Sequence, residues 1–94
     1  MSMYIRAKRR KTTLFLHVDP TDTILEVKQR IQELLQQAPD RQRLFKGTTQ
    51  LEDSKKLAEM QIGNDDILAM TFCQADGSWE EIDIASFDAE RDLQ

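Results

Sequence analysis

His17 is the only histidine and Cys73 the only cysteine in this 94-residue chain, so one thiol and one imidazole exhaust its options for strong nucleophilic chemistry. A working dyad needs the two within hydrogen-bond reach, about 3 Å between heavy atoms. Two carboxylate pairs come next, Asp65-Asp66 and Glu80-Glu81. General acid–base work needs carboxyl groups that converge on a substrate from separate points, and pairs adjacent in sequence read as solvated loop charge. The glycines Gly47, Gly63 and Gly77 are isolated, which leaves no glycine-rich loop for a phosphate, and no run has metal-ligand spacing. A single cysteine excludes an internal disulfide and a cysteine-built zinc site. The expectation is a protein that binds rather than catalyses, with no cofactor and no metal.

The elements that would position these side chains follow from periodicity. Met3, Ile5 and Ala7 alternate with Tyr4, Arg6 and Lys8, and Leu14, Leu16 and Val18 alternate with Thr13, Phe15 and His17. Period-two alternation on both sides of a short basic connection predicts a hairpin. Asp19-Pro20-Thr21-Asp22 then turns the chain, and Thr23 with Glu26 makes a capping box that opens a helix. Ile24, Val27, Ile31, Leu34 and Leu35 recur at helical spacing, with Glu26, Lys28, Arg30, Gln32 and Glu33 mainly on the opposite side. Pro39 ends that helix by about Ala38. A short strand is expected around residues 43–46, a turn over 47–50, a single helical turn at 57–60, a loop at 63–66 and a last strand over 67–74.

The chain has room for one small domain, and 39% hydrophobic content supports a core with little to spare. No apolar run approaches the roughly 20 residues that span a bilayer, and the N-terminal stretch lacks the apolar core of a signal peptide. A soluble, intracellular protein is expected. The net charge of −4 is unevenly spread, with Arg6, Lys8, Arg9, Arg10 and Lys11 near one end and Asp76, Glu80, Glu81, Asp83, Asp88, Glu90 and Asp92 near the other. That asymmetry fits a solvated hairpin turn, attraction between the ends, or attraction to a partner. Nucleic acid is disfavoured by the acidic total and by the lack of aromatic residues interleaved with the basic cluster.

The segment Thr13 to Lys28, with Val18-Asp19-Pro20-Thr21-Asp22-Thr23-Ile24 and Val27-Lys28, resembles the ubiquitin-like superfamily, as do Pro39-Asp40, Gln42-Arg43-Leu44, Gln50-Leu51-Glu52-Asp53 and Leu57. Within it, Arg10-Lys11-Thr12-Thr13-Leu14-Phe15, Gln42-Arg43-Leu44-Phe45-Lys46, Phe72, Ala75-Asp76 and the run from Trp79 to Phe87 are similar to the elongin B family. The resemblance implies an α+β, beta-grasp fold in which a mixed sheet packs on one helix, as a ubiquitin-like domain over 1–75 with an acidic, hydrophobic C-terminal tail over 76–94. In that fold the second and last strands flank the first, which puts the backbones of His17 and Cys73 roughly 10 Å apart, too far for a hydrogen-bonded dyad. It also implies a non-catalytic adapter, in nucleus and cytoplasm, that binds elongin C and through it substrate receptors and a cullin of RING ubiquitin ligases, and that belongs to a transcription elongation complex. A generic ubiquitin-like domain, read by ubiquitin-binding domains or the proteasome, is the alternative. The sequence departs from the pattern in ending at Leu93-Gln94, without the family's proline-rich end. It also lacks the Gly-Gly pair of conjugated modifiers, so conjugation through the C-terminus is not expected.

Two groups of residues are candidates for partner binding. Tyr4, Phe15 and Phe45 oppose the core-facing positions of their strands and, with Ala69 and Thr71, would form an aromatic rim around a small-residue floor. Trp79, Ile82, Ile84 and Phe87 follow the Asp76-Gly77 turn signal and set large apolar groups among acids. They can fold back on the domain's own sheet or lie along a partner as an extended segment.

Overall fold

The alternating segments form strands β1 (Met3–Arg9) and β2 (Thr12–Val18), paired antiparallel without interruption from Met3↔Val18 to Arg9↔Thr12. The computed structural model describes residues 2–83. The basic connection is two residues long, and Arg10 takes a left-handed conformation, φ 54°, which costs an L-residue roughly 1–2 kcal/mol. The order continues with α1 (Ile24–Leu35), a 3-10 turn at Pro39–Arg41, β3 (Gln42–Lys46), β4 (Thr49–Gln50), a second 3-10 turn at Ala58–Met60, and β5 (Ile67–Phe72). The sheet order is β2-β1-β5-β3-β4, with β1 and β5 parallel and the other neighbours antiparallel.

Helix α1 opens as expected. Glu26 donates its N–H to Thr23 Oγ1 (3.2 Å), and the Glu26 carboxylate accepts the Thr23 N–H (3.1 Å). Ile24, Val27 and Ile31 are fully buried against Ile5, Leu16, Val18, Leu44, Leu57, Leu68 and Met70. Burial of each such side chain contributes about 1.5–3 kcal/mol. The helix stops at Leu35, three residues before Ala38, because Gln36 turns left-handed (φ 57°) and returns its N–H to Gln32 O. Two expectations for its faces are corrected. Leu34 sits at the margin of the apolar stripe and is 54% exposed, whereas Leu35 packs on the core. Lys28 falls in the middle of the stripe and is buried, its ammonium reaching Asp53 Oδ1 at 2.6 Å.

A second buried polar side chain fixes the helix to the sheet. Gln42, at the start of β3, points inward and donates from Nε2 to the carbonyls of Lys28 (2.9 Å) and Gln37 (2.7 Å). Those bonds tie strand, helix and helix exit together at one atom. Replacing Gln42 by alanine removes both bonds from a buried site, so a loss of about 1–3 kcal/mol is expected. Urea unfolding should show a lower midpoint with an unchanged slope.

Candidate protein-interaction site

The helix covers one face of the sheet. On the other face the register sets Phe15 beside Arg6, Arg6 beside Ile67, Lys8 beside Ala69, Ala69 beside Phe45, and Thr71 beside Arg43. Tyr4, Phe15 and Phe45 therefore share the outer face, but they are not one patch. Tyr4 stacks on His17 with ring centroids 4.8 Å apart, next to Phe15 on β2, and Tyr4 and Phe15 are 55% and 68% exposed. Phe45 is half-buried and three strands away from Phe15, roughly 14 Å at ordinary strand spacing. Ala69 and Thr71, the expected floor between them, are only 4% and 1% exposed. The outer face is open around Tyr4, Phe15 and His17 and closed over Lys8, Ala69 and Thr71.

Beyond β5 the chain folds back. Cys73 and Trp79 form an antiparallel bridge around a turn in which Gly77 has φ 88°, a conformation that glycine adopts without strain. The Ser78 hydroxyl and N–H donate to Asp76 Oδ1, at 2.6 and 2.9 Å, and hold that carboxyl below its ordinary range. Trp79 lies under the Arg43 guanidinium, 4.1 Å from ring centroid to Cζ. Glu80 then enters the gap where β1 and β5 diverge. Its N–H donates to Phe72 O (3.2 Å), while its carboxylate accepts the Phe72 N–H (3.0 Å) and both Nε (2.7 Å) and Nη2 of Arg9. Arg10 Nη2 is 3.5 Å from the same carboxylate, and Arg10 N–H donates to Asp83 O at 2.6 Å. The Arg9 guanidinium also lies over the Phe72 ring at 4.6 Å.

Glu80 is thus not the surface charge expected from its place beside Glu81; its side chain is only 9% exposed. The Arg9 hydrogen bond, outweighing the cost of burial, holds the Glu80 carboxyl below its ordinary range, and the same bond raises Arg9. Attraction between the two ends of the chain, one of the readings of its charge asymmetry, is what the Arg9–Glu80 and Arg10–Glu80 pairs display. The partner atoms stand 71 residues apart in sequence, so spacing carried no signal for that pairing. Ile82 is exposed at the end of this segment, and Ile84 and Phe87 lie outside the described residues.

Nucleophilic chemistry finds no geometry here. His17 pairs with the start of β1, and Cys73 follows the far end of β5, which sets them roughly 25 Å apart along the strands at about 3.3 Å per residue. Asp65 and Asp66 are engaged with Arg6 (3.4 Å) and Lys46 (3.8 Å). Among the described residues no group of three histidine, cysteine or acidic side chains could hold a metal ion. No helix among them is long and apolar enough to cross a membrane.

The Glu80 clamp has a pH dependence. A carboxyl whose folded pKa is depressed stabilises the fold fully above the unfolded glutamate value of about 4.3, and that contribution is lost as pH falls through the lower folded value. Glu80→Gln should therefore lower stability at neutral pH by about 1.5–3 kcal/mol, the usual worth of a hydrogen bond to a charged group. It should also flatten the acid limb of a urea-midpoint profile taken between neutral and strongly acid pH.

A mixed five-stranded sheet over one capped helix, in the order β2-β1-β5-β3-β4, is a beta-grasp. The model of the ubiquitin family matches residues 3–74, which takes in every strand and the helix. The described residues past 74 extend that domain at its C-terminal side. The chain belongs to the ubiquitin family.

Proposed function

We propose that this chain is a non-catalytic recognition domain, bound by other proteins through the open part of its outer sheet face. The observation that carries the reading is the exposure of Tyr4 and Phe15, with His17 stacked beside them, on a small domain whose other large apolar residues are mostly buried. Aromatic side chains that keep contact area in water without a packing role mark an interaction surface. Phe45, half-buried across the same face, supplies a second anchor for a ubiquitin-binding helix or a proteasomal receptor.

A finer reading is an elongin C adapter that supports cullin-RING ubiquitin ligases and their substrate receptors, in nucleus and cytoplasm, with a share in transcription elongation. One feature favours it. The basic turn that carries the elongin B family resemblance, Arg10-Lys11-Thr12-Thr13, also anchors the segment past the family match, through Arg10 to Glu80 and Asp83. Ile82 is exposed just past that anchor, and Ile82, Ile84 and Phe87 are the residues this reading assigns to the partner, with Trp79, which packs on Arg43, holding the start of the segment.

Titrating the isotope-labelled chain with a ubiquitin-binding helix and, separately, with elongin C tests both readings. The recognition reading predicts amide shifts at Tyr4, Phe15 and Phe45 with the helix, and about tenfold weaker binding for Phe15→Ala, Phe45→Ala, equivalent to about 1.4 kcal/mol. The adapter reading predicts a tight one-to-one complex with elongin C that weakens on Ile82→Asp. Undiminished binding by the double variant would remove the first reading, and no complex with elongin C the second.

A further inference from the structure

The sheet is complete before the last described segment begins. The match to the ubiquitin family ends at residue 74, and among the described residues the core cluster contains nothing beyond Phe72. Residues 78–83 are laid onto that finished domain. Trp79 is half-buried, residues 81–83 are exposed, and a turn of exposed residues joins the segment to β5. Its hold on the domain is concentrated at Glu80 and at one aromatic ring.

The place where Glu80 sits has the makeup of a peptide site. The end of β5 offers the Phe72 N–H and C=O as a sheet edge does, and Glu80 meets both. Cys73 and Trp79 continue the pairing as an antiparallel bridge, so the segment adds to β5 in the way a bound strand would. Side chains supply the selection. Arg9 grips the carboxylate through Nε and Nη2, Arg10 stands 3.5 Å from it, and Arg43 covers the ring of the residue before it. An arginine fork fixes a carboxylate in direction and plane, and a guanidinium over an indole adds a second attraction. Together these groups select an extended segment in which an aromatic residue is followed directly by an acid.

We propose that the cleft at the end of β5 is a binding site for an aromatic–acidic segment of another protein, and that residues 78–83 are its tethered occupant. A partner that presents an aromatic residue followed by a glutamate displaces them, pairs with Phe72 and takes the Arg9 fork. The short turn at 75–77 keeps the chain's own segment at an effective concentration on the order of millimolar. The site is therefore closed at rest and opens to a partner that outcompetes the tether. It lies at the opposite end of β1 from Tyr4, so it stands independently of the recognition reading.

The probe is the peptide Ser-Trp-Glu-Glu-Ile-Asp, the sequence of residues 78–83, titrated into the isotope-labelled full chain. In the variant Trp79→Ala, Glu80→Ala, whose own segment has lost both anchors, the peptide should shift the amides of Arg9 and Phe72. A peptide with glutamine in place of its first glutamate should bind that variant about tenfold more weakly, the usual worth of a hydrogen bond to a charged group. The wild-type chain, with its tether in place, should bind the original peptide about tenfold more weakly than the variant does. Hydrogen exchange of the wild-type chain reads the same release without a substitution. The amides of Phe72 and Glu80 should exchange through an opening at least about tenfold more frequent than the one that frees Ile5 and Leu68. The proposal is overturned by a folded variant that shows no shift at Arg9 or Phe72, by equal binding of the two peptides, or by equal binding to variant and wild type. A variant that no longer folds, or Phe72 and Glu80 amides as protected as those of the core, would make the segment part of the fold and overturn it equally.

Discussion

One helix can cover only one face of a sheet, and the rest of this structure answers that constraint. The inner face is a closed apolar layer of Ile5, Ala7, Leu16, Val18, Leu44, Leu68 and Met70 under Ile24, Val27 and Ile31. Among the described residues no helix lies on the outer face, and an antiparallel or mixed sheet tolerates water there only where its side chains suit it. Two solutions divide it. Toward β5 and β3 the face is closed, with Ala69 and Thr71 buried and Trp79 lying under Arg43. Along β2 and at the start of β1 it stays open and presents Tyr4, Phe15 and His17, while Lys8 further along β1 is buried.

Electrostatics holds the divide in place. Parallel strands β1 and β5 separate beyond Lys8 and Ala69, which would leave the Phe72 N–H and C=O without ladder partners. Glu80 meets both, one with its carboxylate and one with its own N–H, and Arg9 and Arg10 neutralise the charge that this brings into a nearly buried site. A carboxylate left there without the arginines would cost several kcal/mol of desolvation. The same contacts offset the strain of a left-handed Arg10, since its N–H is committed to Asp83 O. The basic turn and the acidic segment are thus two halves of one structural joint.

What could be read from the sequence was whatever depended on local order. The hairpin came from alternation, the helix start from Thr23 and Glu26, and the sharing of one face by Tyr4, Phe15 and Phe45 from strand parity. Features set by distant partners were illegible. Lys28 looked like surface charge until Asp53, 25 residues on, supplied a carboxylate, and Glu80 looked the same until the fold brought Arg9 to it. Leu34 counted toward the apolar stripe because helical spacing does not say where the sheet beneath ends. The early helix stop was hidden too, since a glutamine in the left-handed conformation carries no glycine to announce it.

The division of the outer face into a structural half and a free half is most directly tested by urea unfolding of Phe15→Ala and Trp79→Ala side by side. A largely exposed Phe15 without packing duty predicts a loss under about 1 kcal/mol, the range of strand propensity alone. Trp79, packed on Arg43 and carrying the bridge to Cys73, predicts a clearly larger drop in midpoint. Equal losses, or a greater loss at Phe15, would mean that the aromatic strip is part of the fold's own packing and not a surface kept open for another protein.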